Sequence, residues 1–152
     1  MDGWTPKGRL FSDILAEVFR LRARLLESAE NIAALAGLTS ARWQILGTVE
    51  HAPASVAHVA RTLGLTRQTV QETADAMARD GLIEFHDNPD HKRSRLIVTT
   101  AKARKALDVL RPRQTQFAGL MGGRHSLDDL QTTLDVLRKA RTTLESTERI
   151  AS

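Results

Sequence analysis

The sequence predicts a mainly α-helical protein with a small β-hairpin, an α+β fold. Apolar residues recur with helical spacing along most of the chain, whereas the segment after Gly81 contains β-branched apolar runs that are typical of strands. The chain has 152 residues, of which 41% are hydrophobic, and this is enough for one compact unit with its own core.

The clearest predicted helix lies within residues 63–85, LGLTRQTVQETADAMARDGLIEF. Its apolar stripe follows the i, i+3, i+4, i+7 spacing and consists of Val70, Thr73, Ala74 and Met77. The Thr66 hydroxyl can accept hydrogen bonds from the free amides of the first turn, and Gly81 can end the helix after Asp80. The pattern therefore predicts a helix from Thr66 to Asp80.

A shorter helix precedes it, with Ser55 as the predicted N-cap. Its buried stripe has the same spacing and consists of Val56, Val59, Ala60 and Leu63. Only Gly64 and Leu65 separate the two helices, which leaves room for a tight turn alone. Two short helices joined in this way are typical of a helix-turn-helix, whose second helix enters the DNA major groove.

The second helix has a polar face formed by Arg67, Gln68, Gln71, Glu72 and Asp75. Glutamine can make paired hydrogen bonds to adenine and arginine to guanine, so the start of this helix carries groups suited to base edges. Because surface helices are generally polar, a merely solvated face is the alternative interpretation.

The segment after Gly81 predicts a β-hairpin with a long tip. Asn88 and Pro89 mark the turn between two apolar runs, residues 82–85 and 96–98. From residue 91 to 107 there are six Lys or Arg residues and no Asp or Glu, and Lys92, Arg93 and Arg95 lie at the tip. A basic hairpin beside a helix-turn-helix is a winged helix, which places cations against phosphates or in a narrow minor groove. A charged, solubilising turn is the alternative.

These residues resemble the MarR family of bacterial transcriptional regulators. The likeness runs through GLTSARWQIL, VAHVARTLGLTRQTV, DGLIEF and NPDHKRSRLIVTT, in the family's order and spacing. Two features depart from it. Relatives usually have Asp where this chain has His91, and they often have Arg where it has Glu72 and Ala76. We expect Arg67, Gln68 and Gln71 to read bases, Thr66 and Thr69 to hold phosphates, and Lys92, Arg93 and Arg95 to anchor the wing.

Both ends of the chain carry apolar stripes that exceed what a small winged domain can cover. In the family that the chain resembles, such terminal helices interlock into a homodimer that places two recognition helices about 34 Å apart on a pseudopalindrome. We therefore predict a helical dimerisation region from residues 8–37 and 101–150, and a DNA-binding domain from residues 38–100. An intramolecular helical bundle in a monomer is the alternative.

Composition and motifs exclude several classes of function. The net charge of +4 and the pI near 10.1 favour polyanionic partners weakly, and the chain has no Cys for disulfides or thiolate metal sites. No apolar run reaches membrane-span length and the N-terminus does not match a signal peptide, so a cytoplasmic protein without membrane association is expected. No GxSxG, phosphate-loop or HExxH motif occurs, which predicts no enzymatic activity.

Members of the resembling family are commonly released from DNA by small aromatic acids or other lipophilic compounds. The candidate pocket residues are Trp43, His51, His58 and Arg20, although Trp43 is as well explained as core and Arg20 as a solvated or dimer-rim residue. His51 and His58 could instead belong to a metal sensor, but their spacing is not that of a zinc motif, and no cofactor is predicted. A winged helix that binds proteins rather than DNA is a further alternative.

Overall fold

The computed structural model describes residues 3–151, with the side chains of residues 3–147. In chain order the elements are α1 (Pro6–Ala34), α2 (Ser40–Val49), β1 (Ala54–Ser55), α3 (Val56–Leu63), α4 (Arg67–Arg79), β2 (Ile83–His86), β3 (Leu96–Thr99), α5 (Ala101–Gly122) and α6 (Leu127–Ala151). The predicted fold class, mainly α with a small β wing, is confirmed.

The helix-turn-helix has the predicted caps. Ser55 Oγ accepts a hydrogen bond from the His58 amide at 3.2 Å, and Thr66 Oγ1 accepts one from the Thr69 amide at 3.1 Å. Gly64 ends α3 with φ of 65°, and Gly81 follows α4 with φ of 73°. Both angles lie in the left-handed region that a side chain disfavours, so glycine is required for the turn before α4 and the turn after it.

The wing belongs to a three-stranded antiparallel sheet of order β1-β3-β2. In β2 and β3, Phe85 pairs with Ile97 and Ile83 with Thr99, as expected of the predicted hairpin. The two-residue strand β1 was not predicted, since two residues are too few to display a period. It pairs Ala54 with Ile97 and thereby joins the start of α3 to the base of the wing.

The hydrophobic core lies between the helix-turn-helix, α2, the sheet and the first half of α5. It includes Ile45 and Leu46 of α2, the α4 stripe residue Met77, and Leu110 of α5, all fully buried. The chain divides at Pro112 into two compact units, the second beginning at Arg113. In the second unit, Ser126 caps α6 by accepting from the Asp129 amide at 3.1 Å.

Polar contacts hold the C-terminal end of α4 in place. Arg42 Nη1 of α2 lies 2.7 Å from Asp80 Oδ2, and Lys102 Nζ of α5 donates to the Asp80 carbonyl at 2.6 Å. Thr100 Oγ1 donates to the Gly81 carbonyl at 2.7 Å. The orientation of α4 is therefore set by both α2 and the start of α5.

Among the described helices, none is long and apolar enough to cross a membrane.

Candidate nucleic-acid interface

An open groove of about 1050 Å³ lies between α3, α4 and the wing. It brings together five of the eight residues predicted to contact DNA, namely Arg67, Gln68 and Gln71 from α4 and Arg93 and Arg95 from the wing. Thr66, Thr69 and Lys92 are exposed and do not line it. The groove thus combines the base-compatible helix face and the basic hairpin in one concave surface.

The start of α4 presents its two threonine hydroxyls together. Thr66 Oγ1 and Thr69 Oγ1 lie 2.8 Å apart, and the Thr66 oxygen also accepts from the Thr69 amide. The amides of a helix N-terminus attract anions, and hydroxyl groups beside them can donate to phosphate oxygens. This end of α4 is chemically suited to a DNA backbone phosphate.

Both glutamines of α4 are held by carboxylates one turn further along the helix. Gln68 Nε2 donates to Glu72 Oε1 at 3.0 Å, and Gln71 Nε2 donates to Asp75 Oδ1 at 2.8 Å. The first pair is exposed, whereas Gln71 and Asp75 are both half-buried. The sequence predicts that these four residues share one helix face, but it does not predict the two hydrogen bonds between glutamine and carboxylate.

The wing tip is shaped by turns around Asn88. Its side-chain Oδ1 accepts from the Asp90 amide at 3.1 Å and its carbonyl from the His91 amide at 3.2 Å. Lys92 and Arg93 are exposed, and neither forms an ion pair with any residue of the described chain, Asp90 included. Their charges therefore remain available to an external anion.

Arg95 is a wing cation that lies against an aromatic ring. Its guanidinium carbon lies 4.5 Å from the centroid of the Phe85 ring, within the range of a cation–π interaction. Phe85 is half-buried and packs against the core cluster, so this contact ties Arg95 to the rigid part of the domain.

Three residues of the groove were missed by sequence reasoning as functional candidates. Arg61 reaches it from the last turn of α3, and Phe85 forms part of its wall. Asp75 is the one acidic residue that lines it within the part of the chain that the structure describes. Arg61 could have been found from its position on the α3 face opposite the buried stripe. The roles of Phe85 and Asp75 depend on contacts across strands and along a helix that the sequence does not reveal.

The four residues predicted for an effector pocket lie in different surroundings. Trp43 is half-buried and packs against the core, whereas His51 is 85% exposed, with Nε2 3.8 Å from Glu50 Oε2. Arg20 pairs with Glu17 on the surface of α1. His58 lines a smaller cavity of about 410 Å³ together with Thr48, Pro53 and Leu96. No hydrogen bond or ion pair of the described side chains joins any two of the four.

The metal-sensor alternative gains no geometric support. Over the part of the chain that the structure describes, no three His, Asp or Glu side chains are grouped so that they could hold a metal ion. His51 and His58 therefore lack the further ligand that a zinc site would need.

Two ionisable groups outside the groove stabilise the helices around α2. Glu30 Oε2 accepts from the Ser40 amide at 2.8 Å. Hydrogen bonding with the Ser40 side chain first, and with its backbone amide second, lowers the pKa of the Glu30 carboxyl below its ordinary value. Arg111 Nη2 lies 2.7 Å from Glu50 Oε1 and 3.3 Å from Asp108 Oδ1, and its hydrogen bonds with these carboxylates raise the pKa of the guanidinium.

Comparison with known proteins identifies the family. The sequence model of the MarR family matches residues 36–94, which include the helix-turn-helix and most of the wing. The chain belongs to the MarR family. Members of this family are transcription regulators without enzymatic activity, which confirms the prediction that this protein is not an enzyme.

Relatives of this MarR-family protein include an uncharacterised protein of Mycobacterium tuberculosis, 38% identical over 126 residues that cover 83% of this chain and 88% of the relative. The transcriptional activatory protein BadR of Rhodopseudomonas palustris is 32% identical over 108 residues, covering 68% of this chain and 62% of BadR.

Solved structures of the family share the fold of this chain. The regulator AbsC from Streptomyces coelicolor matches with a TM-score of 0.78 at 15% identity, covering 96% of this chain and 99% of AbsC. CouR from Rhodococcus jostii, solved with bound p-coumaroyl-CoA, matches with a TM-score of 0.76 at 20% identity, covering 86% of this chain and 93% of CouR.

Proposed function

We propose that this MarR-family protein binds a pseudopalindromic DNA operator as a homodimer in the cytoplasm and represses transcription from it. The observation that carries the proposal is the groove in which Gln71 and Arg67 of α4 face Arg93 and Arg95 of the wing. A helix with base-compatible side chains beside a basic hairpin is the arrangement by which winged helices hold duplex DNA.

The two sides of the groove have different roles in this proposal. Arg67, Gln68 and Gln71 contact base edges in the major groove and supply sequence preference. Thr66 and Thr69 at the start of α4 and Lys92, Arg93 and Arg95 in the wing contact phosphates, and they supply affinity that depends on salt. His91 also lines the groove.

The homodimer is supported by apolar side chains that the single chain leaves uncovered. On α1, Leu10 and Phe19 are 64% and 73% exposed, and on α6, Leu127 and Leu144 are 80% and 62% exposed. Large exposed apolar patches usually mark an interaction surface. A second copy would cover these faces, and its two-fold symmetry would present two α4 helices to successive major grooves. We assign residues 8–37 and 101–150 to this dimerisation region and residues 38–100 to DNA binding.

Activation of transcription is a second candidate outcome of the same binding. It is favoured by the similarity to BadR, which is described as a transcriptional activatory protein. Whether binding represses or activates transcription depends on where the operator lies relative to the promoter. A reporter gene carrying the operator, assayed with and without this protein, distinguishes repression from activation.

We further propose that a small lipophilic or aromatic-acid ligand modulates DNA binding. The support is that CouR was solved with p-coumaroyl-CoA and a Staphylococcus aureus MarR protein with salicylate. Trp43, His51, His58 and Arg20 are the candidate residues. His58 lines a cavity of about 410 Å³ at the base of the wing. A ligand bound there would contact α3 and β3 and could shift the wing relative to α4.

The DNA-binding proposal is tested by fluorescence anisotropy with a labelled random duplex at low ionic strength. The wild-type protein is expected to bind, and the variant K92A/R93A/R95A to bind far more weakly. Circular dichroism shows whether the variant is folded. If the folded wild-type protein does not bind duplex DNA, the DNA-binding proposal is wrong, and the winged helix serves protein contacts instead.

A further inference from the structure

Asp75 is an unexpected residue in a groove that is suited to DNA. Among the described residues it is the only acidic one that lines the groove, where four arginines also lie: Arg61, Arg67, Arg93 and Arg95. A half-buried carboxylate in this place repels DNA phosphates. Asp75 forms no ion pair with any described residue, so none of these arginines is in direct contact with its carboxylate. Its one described interaction is the 2.8 Å hydrogen bond from Gln71 Nε2.

The hydrogen bond restricts how Gln71 can present itself to a base. A glutamine amide has one carbonyl acceptor and two N–H donors, and it has several rotamers of similar energy. Engaging one N–H with Asp75 selects a rotamer and fixes which side of the amide carries oxygen. The Oε1 acceptor and the second N–H then remain for a base edge, in a fixed relative position.

The carboxylate also distinguishes bases by their own polarity. In the major groove, adenine presents an amino donor beside the N7 acceptor and cytosine presents an amino donor, whereas guanine presents two acceptors and thymine one acceptor and a methyl group. A negative charge beside Gln71 attracts an amino group and repels the lone pairs of guanine O6 and N7 and of thymine O4.

We propose that Asp75 is a positioning residue that sets the base preference of Gln71, favouring adenine first and cytosine second over guanine and thymine. This inference rests on the proposed function, in which α4 enters the major groove. Glu72 holds Gln68 in the same way, but both side chains are exposed, so water competes with that pair and its influence on base choice is weaker.

The chain offers a matched control on another helix. On α6, Gln131 Nε2 donates to Asp135 Oδ1 at 3.0 Å, the same residue types at the same spacing. The variants D75A and D135A therefore remove the same charge and the same type of i, i+4 pair, which is half-buried at Asp75 and exposed at Asp135. D75N retains an oxygen acceptor for Gln71 and removes only the charge.

The test uses the full-length protein and an operator recovered by selection from a random duplex library. The position read by Gln71 is the one whose base preference is lost in Q71A. Dissociation constants are then measured for all four base pairs at that position. We expect the wild-type protein to prefer adenine over guanine by about 10-fold or more, the discrimination of a bidentate contact.

In D75A, we expect the preference for adenine over guanine to fall nearly to that of Q71A. In D75N, we expect a smaller fall in this preference, together with weaker rejection of guanine and thymine. D135A is expected to leave the base preference unchanged. When Gln71 is already replaced in Q71A, adding D75A should not change the ratios between the four dissociation constants. If D75A or D75N shifts all four constants by the same factor, Asp75 has only a structural role and the inference is wrong. Absence of DNA binding by the wild-type protein would instead overturn the proposed function itself.

Discussion

The guanidinium of Arg95 lies over the ring of Phe85, 4.5 Å from its centroid. Phe85 belongs to β2 and packs against the core, whereas Arg95 immediately precedes β3. The contact therefore fixes one cation at the base of the wing, while Lys92 and Arg93 nearer the tip have no partner among the described residues. The wing thus has one cation stacked on an aromatic ring and two cations without a partner among the described residues.

Replacing Phe85 by leucine tests this anchoring. F85L keeps an apolar side chain against the core but removes the ring face, so Arg95 loses a preferred position. We expect affinity for DNA to fall about 2- to 5-fold on both cognate and random duplexes, which corresponds to about 0.5–1 kcal/mol. The dissociation constants are measured by fluorescence anisotropy.

The R95A background is the control for this prediction. If the ring acts through Arg95, F85L has no further effect on affinity when Arg95 is already absent. An equal loss of affinity in both backgrounds would mean that F85L acts by disturbing the sheet.

Removal of the Arg93 side chain tests whether the wing tip contacts DNA phosphates. R93A is expected to weaken binding to cognate and random duplexes alike and to make the dependence of log K on log salt less steep by about 0.9. The control R124A removes the same charge from the turn between α5 and α6, where no DNA contact is proposed. An unchanged salt slope for R93A would place the wing away from the phosphates.

The ion pair between Arg42 and Asp80 is predicted to support the end of α4. Arg42 is 24% exposed in its side chain, so the 2.7 Å pair is only partly screened by water. A double-mutant cycle of R42A and D80N, measured by urea denaturation, is expected to give a coupling free energy of about 0.5–1 kcal/mol. Strictly additive changes in the free energy of unfolding would show that the pair does not stabilise the fold.

Hydrogen bonding of the Glu30 carboxylate with the Ser40 side chain and backbone amide predicts a pH dependence of stability. Because it lowers the pKa of Glu30 in the folded protein, its contribution is fully present above the ordinary glutamate pKa and is lost as the pH falls through the lowered value. E30Q retains an oxygen acceptor but does not titrate. We expect wild-type protein to be more stable than E30Q at neutral pH and the difference to shrink in acid.

Urea denaturation at neutral and acidic pH measures this difference. E27Q is a suitable control, because Glu27 lies on the same helix and contacts the Arg24 side chain rather than a backbone amide. A stability difference between wild type and E30Q that stays constant with pH would contradict the assigned role of Glu30.

Much of the DNA-binding unit follows from local sequence patterns. The apolar stripes and the caps Ser55 and Thr66 define α3 and α4, and the left-handed Gly64 and Gly81 define where they end. The wing follows from its β-branched strands and its turn residues. These features depend on neighbours within a few positions, which is why they can be read from one sequence.

Other features depend on contacts that have no local signal. Strand β1 exists because Ala54 and Ser55 pair with β3. Ala54 pairs with Ile97, which lies more than forty positions further along the chain. Likewise, the stacking of Arg95 on Phe85 arises from the antiparallel pairing of two strands. An effector pocket likewise has no local sequence signal, and the candidate residues Trp43, His51, His58 and Arg20 lie in different surroundings in the structure.

Selection of bound sequences from a random duplex library, followed by measurement of the mass of the complex, tests the central claim most directly. We expect an inverted repeat with half-sites about 10 base pairs apart, bound by two copies of the chain. Recovery of no enriched sequence, or of a single half-site occupied by one copy, would contradict it.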